Sequence, residues 1–261
     1  MNFNHLGLTA VGLSIVLFAM TYELLRQKRW TIRLGFCCIF AVLAIPSILF
    51  AAYYLHVFPE EAWFYSIRSY RGVELLGVFL GCFGGAVASL MYRFLLGFPL
   101  FAAIVLGLIP YAKPVLGHIP DSAFAERWRG DVSIQSTPST CGPASVCTIL
   151  RRLGGAPSER TIARAAFSCT TGTEAWYLAR FIRNQGFTAR FDFRDTFIPS
   201  VGLPAVVGLR LGSLGHFIAV LAVDGDQVTF ADPMIGEQRI SIAQFRRRYQ
   251  FTGFHMVISR R

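Results

Sequence analysis

Charge is scarce in this chain of 261 residues: Asp, Glu, Lys and Arg make up 15% of it, where soluble domains carry about a quarter. That shortage excludes a purely soluble protein, and the hydrophobic share of 54% with mean hydropathy +0.48 agrees. Internal repeats, heptads and low-complexity segments are missing, which removes coiled-coil and collagen-like classes. Disorder needs few aromatics, and 24 phenylalanines rule it out. No GxxxxGK[ST] phosphate loop occurs, so the chain is not expected to power transport itself. His5, His56, His118 and His255 show no ligand spacing with Cys, Asp or Glu, so neither a structural zinc nor any other cofactor is implied.

What charge exists is unevenly placed. Residues 1–118 hold 8 basic and 4 acidic side chains, and residues 119–261 hold 17 and 11. The first part reads as a membrane region and the second as a globular domain. A bilayer core needs about 20 apolar residues in helical form. Four stretches approach that: Leu6 to Tyr22, Leu34 to Leu55, Leu75 to Tyr92 and Phe94 to Ala112. The first lacks the basic start and small-residue cleavage site of a signal peptide. Arg26, Lys28, Arg29 and Arg33 follow it, and short loops rich in Lys and Arg stay in the cytoplasm. The N-terminus is therefore expected outside, with an outer loop from His56 to Gly72. If Phe94 to Ala112 crosses, there are about four transmembrane helices and the remainder of the chain is extracytoplasmic. If that stretch is only interfacial, there are three spans and a cytoplasmic domain. Four is the expectation, in a bacterial inner membrane, with the lipid bilayer as the first partner.

The second part reads as α+β. Pro110, Pro114 and Pro120 mark the break near residue 119. Helices are predicted over Cys141 to Leu153, Ser158 to Ala166 and Thr173 to Asn184. Strands follow over Phe187 to Phe193, Ala205 to Leu211, Phe217 to Val223, Val228 to Ala231 and Phe254 to Ser259, with a short helix over Ile242 to Tyr249.

Cys141 opens a helix, where the positive end of the dipole favours a thiolate. His216 begins an apolar strand in LGHFIAVLAV, a position with no packing reason for an imidazole. Asp232, in TFADP on the next strand, is placed to orient it. An odd-length loop around Gly225 would put His216 and Asp232 on one face, whereas an even one would send them to opposite faces. Gln135, six residues before Cys141, has a side-chain amide suited to an oxyanion hole with the Cys141 N–H. Singly these signals are weak, since a lone Cys is usually core and an Asp before Pro is usually a turn residue. Their order and setting together point to nucleophilic catalysis.

QSTPSTCGPASVCTILRRLGG, followed by LGHFIAVLAVDGDQVTFADPMIGEQRISIAQFRRRY, resembles the bacteriocin-processing, double-glycine cysteine peptidases of the papain-like clan, over roughly Val132 to Ser259. The resemblance implies a papain-like fold with N-terminal helices and an antiparallel sheet. It also implies that Cys141 is the nucleophile, His216 the general base and acid, Asp232 its orienter and Gln135 the oxyanion donor. The substrate would be a leader or precursor peptide cut after a Gly-Gly pair. Members of the family are commonly fused to an ABC exporter. Here membrane spans precede the peptidase and no Walker motif follows, so a free-standing, membrane-anchored form with a separate exporter as partner is expected.

Three rival functions stand beside the peptidase. One is a non-catalytic module that binds leader peptides for an exporter, a second is a transamidating acyl transferase, and a third is an assembly or immunity protein with a relic triad. Cys37, Cys38, Cys82 and Cys147 read as packing residues. A disulfide between Cys147 and Cys169 is left open. Scattered arginines, with one run at Arg246 to Arg248, fit a solvated face, and no nucleic-acid partner is implied.

Overall fold

The structure, a computed structural model, describes residues 3–55, 57, 60–198 and 202–261, so His56 lies outside the described residues. Two compact units emerge. One is Phe3–Pro59 with Arg71–Leu116, and the other is Glu60–Tyr70 with Gly117–Arg261.

The first unit is a bundle of α1 (His5–Arg26), α2 (Trp30–Tyr54), α4 (Val78–Ser89) and α5 (Gly97–Leu116); α3 (Ala62–Arg68) belongs to the other unit. His5–Arg26, Trp30–Tyr54 and Arg93–Leu116 are long and apolar enough to cross a membrane. The stretch read as Leu75 to Tyr92 is a 3₁₀ turn, Val73–Gly77, leading into α4, which stops at Ser89. Small residues set the packing, because they let helix backbones approach closely without a side chain between them. A Cβ on Gly81 would overlap the Ser14 carbonyl, one on Gly85 the Phe18 carbonyl, and one on Gly77 would touch Ala10. Residue numbers rise together along this seam, so α1 and α4 run parallel. Helix α5 runs the other way, since Gly84 faces Pro99, Gly107 faces Val11 and Gly7 faces Tyr111. The end of α2 meets the end of α5, where the Tyr54 hydroxyl donates to the Pro110 carbonyl at 3.4 Å and Lys113 lies over the Tyr54 ring. At the opposite end Arg33 donates to the carbonyls of Arg26, Lys28 and Ser89, closing the last turns of α1 and α4 with a cation.

The second unit is α+β and papain-like. A hairpin of β1 (Arg127–Arg129) and β2 (Val132–Ile134) leads to α6 (Cys141–Arg152), α7 (Glu159–Ala165) and α8 (Ala175–Asn184). A six-stranded antiparallel sheet follows in the order β3-β8-β4-β5-β6-β7. Its strands are β3 (Phe187–Phe193), β4 (Ala205–Leu211), β5 (Leu214–Asp224), β6 (Gln227–Asp232), β7 (Gly236–Ser241) and β8 (Gln250–Arg260), with α9 (Ile242–Arg248) before the last. Gly154 and Gly186, at φ +85 each, follow α6 and α8 and take the left-handed turn that stops them. The Ser158 hydroxyl accepts the Thr161 N–H to start α7, and Ser241 with Gln244 forms a capping box on α9. One sheet face carries Val207, Leu209, Ile218, Val220, Val228 and Phe230 into a core closed by Phe245 of α9 and by Tyr249. The other face meets α6, where a Cβ on Gly142 would fall 2.9 Å from Leu178 and 3.2 Å from Phe217.

Six elements depart from expectation. Strands β1, β2 and β7 are additional, β1 and β2 lying just beyond the break read near residue 119. Strand β8 begins four residues before Phe254, because Gly253 at φ +92 interrupts the alternation that would have revealed its start. The predicted helix over Ile242 to Tyr249 ends at Arg248, since Tyr249 turns its ring into the core. The outer loop contains α3, which groups with the sheet.

Candidate active site

Cys141 stands at the first position of α6, behind Thr140, and is buried with its sulfur facing β5. The loop before it is tightly held. Glu159 of α7, 1% exposed, accepts the Ser136 N–H at 2.8 Å and the Ser136 hydroxyl at 2.5 Å. The Thr140 hydroxyl accepts the Thr137 N–H at 3.0 Å, and the Gln135 N–H donates to the Pro233 carbonyl at 2.9 Å. That last bond ties the loop of Gln135 to the turn of Asp232.

His216 and Asp232 lie on neighbouring strands, 6% and 4% exposed, with His216 Nε2 3.0 Å from Asp232 Oδ1. The same carboxylate oxygen accepts the Met234 N–H at 2.9 Å, which fixes its direction. Because Nε2 is engaged by Asp232, Nδ1 is the ring nitrogen left for the thiol. Burial disfavours the imidazolium, but the hydrogen bond to Asp232 and the interactions with Cys141 outweigh it. They push the His216 pKa up from 6.5 to about 9. The Phe217 N–H donates to Cys141 Sγ at 3.5 Å, so β5 grips the sulfur beside the imidazole.

The expected odd-length loop is not what places these two side chains on one face. The β5–β6 turn is even, with Gly225 and Asp226 between the paired Asp224 and Gln227. A register shift between Val220 and Ala222 leaves Leu221 as an extra residue, and this bulge restores the parity the turn would have spoiled. His216 and Asp232 thus meet through a bulge inside the strand.

Gln135 follows β2, and its Nε2 donates to the Thr137 carbonyl at 2.9 Å, while its Oε1 is buried without a hydrogen-bond partner. It makes no hydrogen bond to Cys141, His216 or Asp232. The structure therefore joins Cys141, His216 and Asp232 directly, and joins Gln135 to them only through the Pro233 tie. Glu159 and Phe217 were missed as supporting residues. Phe217 was visible in the GHF triplet, whereas nothing local marks Glu159.

All six cysteines are free. The Cys147 thiol donates to the Pro157 carbonyl at 3.1 Å, and burial pushes its pKa up to about 11, the behaviour of an inert core thiol. Cys169 bonds instead within its own turn, to Thr171 and Gly172. Among the described residues, no three His, Cys, Asp or Glu side chains group as metal ligands.

The solved structures similar to this chain include the peptidase domain of Streptococcus ComA, a bifunctional ABC transporter of a quorum-sensing pathway. It is 20% identical, with TM-score 0.45, and the match covers 50% of this chain and 98% of that one. A double-glycine-motif protease from an AMS/PCAT transporter, in complex with its leader peptide, is 21% identical with TM-score 0.43, covering 50% and 91%. Among curated proteins, an uncharacterised protein of Methanothermobacter marburgensis is 33% identical over 126 residues, 48% of this chain and 86% of its own length. The probable functional amyloid protease FapD of Pseudomonas aeruginosa is 24% identical over 141 residues. That match covers 51% of this chain and 62% of FapD. The family model described as Peptidase C39 matches residues 129–261, from the β1 hairpin through the helix of Cys141 to the last strand, and so the chain belongs to the Peptidase C39 family.

Proposed function

We propose that this protein is a membrane-anchored cysteine peptidase that cleaves a leader or precursor peptide after a Gly-Gly-type site. The observation that carries the reading is the buried line from Asp232 through His216 to a cysteine at a helix start. The Gly-Gly preference rests on the resemblance around QSTPSTCGPAS and LGHF. In the proposed reaction the Cys141 thiolate attacks the scissile carbonyl carbon, forming a C–S bond and a tetrahedral oxyanion. The Cys141 N–H has no intrahelical partner at this position and serves the oxyanion together with Gln135, whose amide carries a second hydrogen beside the one on Thr137. The His216 imidazolium gives its proton to the leaving amine as the C–N bond breaks. It then takes a proton from water, whose oxygen displaces the sulfur and releases the carboxylate product.

Residues 1–118 are the proposed membrane region, with four crossings, and residues 119–261 the peptidase domain, whose compact unit also takes in residues 60–70. Two observations support an extracytoplasmic peptidase. The helices of the bundle alternate in direction, with the basic turn of Arg26 to Arg33 at one end and both the start of α1 and the end of α5 at the other. The segment before α4 packs on the peptidase, which an even number of crossings between them permits. A separate exporter would then deliver the precursor.

Replacing the nucleophile tests the reading. In Cys141→Ala, precursor cleavage is expected to vanish while membrane insertion and the melting transition persist. Cleavage at the wild-type rate by that variant refutes it.

A further inference from the structure

Helix α3 lies in the loop between two membrane helices, yet its side chains are built into the catalytic unit. Phe64 and Tyr65 are 1% and 4% exposed. The Tyr65 ring sits 5.1 to 5.8 Å from those of Trp176, Phe191, Phe193 and Phe254, drawn from α8, β3 and β8. Phe64 meets Trp176 edge-on at 6.1 Å, and the Arg68 guanidinium lies 4.8 Å from the same indole. The last carbonyls of the segment are also claimed. Arg180 of α8 donates to Arg68 O at 3.0 Å, Ser69 O at 3.4 Å and Tyr70 O at 2.8 Å, and Arg183 donates to the Ser69 hydroxyl. A cation at the end of a short helix satisfies carbonyls that the helix cannot. An outer loop with no role in the enzyme has no reason to bury two aromatics and occupy two arginines of the catalytic fold.

The aromatic contacts lead on to the nucleophile. Phe254 touches Tyr65 on one side and Phe217 on the other, the latter at 5.1 Å. Phe217 in turn donates its N–H to Cys141 Sγ, and its ring fills the space over Gly142. Interiors packed at crystal density transmit a missing ring to the next layer. We infer that residues 60–70 complete the peptidase and that Tyr65 is a positioning residue, which seats Phe254 and Phe217 behind Cys141. The inference rests on the proposed role of Cys141 as nucleophile. It adds that part of the machinery is supplied by the membrane region, from a segment separated in sequence from the rest by α4 and α5.

The test uses the full-length protein in detergent and follows iodoacetamide alkylation of the peptide bearing Cys141, by mass spectrometry, from pH 5 to 10. Wild-type protein is expected to react rapidly near neutral pH, with loss of that reactivity in His216→Ala. Tyr65→Ala is expected to slow alkylation at pH 7 about tenfold and to displace the pH profile, while Tyr65→Phe retains both rate and profile. A purely structural role would lower the melting temperature of Tyr65→Ala and leave the profile of the folded protein unchanged, and that result overturns the inference. If Tyr65→Ala does not fold, Phe254→Leu replaces it, and wild-type rate and profile in that variant overturn the inference equally. Failure of the underlying reading is separately visible: wild-type Cys141 would then react no faster than it does in His216→Ala, before any change to α3.

Discussion

At His216 two opposing effects set the chemistry. Burial favours the neutral ring, and the hydrogen bond to Asp232 together with Cys141 reverses that preference, so the folded pKa of about 9 exceeds the ordinary 6.5. A raised pKa means that the protonated ring stabilises the fold. That contribution is complete below pH 6.5 and is lost as pH rises through about 9. The melting temperatures of wild-type protein and His216→Gln are therefore expected to converge above pH 9; a gap that stays constant from pH 6 to 10 contradicts this. On the proposed mechanism the same titration bounds turnover, since a ring without its proton cannot protonate the leaving amine. Asp232→Ala removes the largest upward influence on the ring. Its alkaline limit should lie at lower pH than that of the wild type, with cleavage slowed about 10²-fold or more. A pH–rate profile of kcat/KM measures both effects.

At the level of the element, the bulge in β5 decides whether there is a site. Deleting Leu221 from the full chain removes the extra residue and sends His216 and Asp232 to opposite faces. Cleavage and rapid alkylation of Cys141 should both disappear while circular dichroism still reports the sheet. Leu221→Ala keeps the residue count and so keeps the site, at a cost in stability of about 2–3 kcal/mol for a truncated, buried Leu. Activity in the deletion variant would show that the pairing had slipped to another register. This device was not legible in the sequence. Cys141, His216 and Asp232 could each be read because their neighbours define their settings: a proline in the first helical turn, an apolar strand behind an imidazole, a proline after a carboxylate. Leu221 sits in the unbroken apolar run IAVLAV, where no polar residue marks the face, so one extra residue leaves no trace. Strand β7 was obscured for the opposite reason, since GEQRIS is too polar to read as a strand until β6 is there to pair with it.

For the whole molecule, the sequence revealed composition by region and missed the exchange between regions. The apolar runs and the basic turn after the first helix were readable one stretch at a time. The docking of α3 was not, because Tyr65 and Phe254 lie far apart in the chain and neither carries a local signal of the other. With four crossings, a reporter fused after Arg261 should be active only outside the cytoplasm, and one placed in the turn at Gln27–Arg29 only inside. A cytoplasmic signal at Arg261 would leave three crossings and a cytoplasmic peptidase.

The split of the catalytic unit also has a consequence in time. Chains fold from the N-terminus as they are made, and α3 is synthesised long before Phe254, the ring it seats. Helices α4 and α5 are made between them, and strand β8 comes last of all. On the proposed role of α3, the site is expected to become competent only after β8 has been made and its Phe254 has closed on Tyr65.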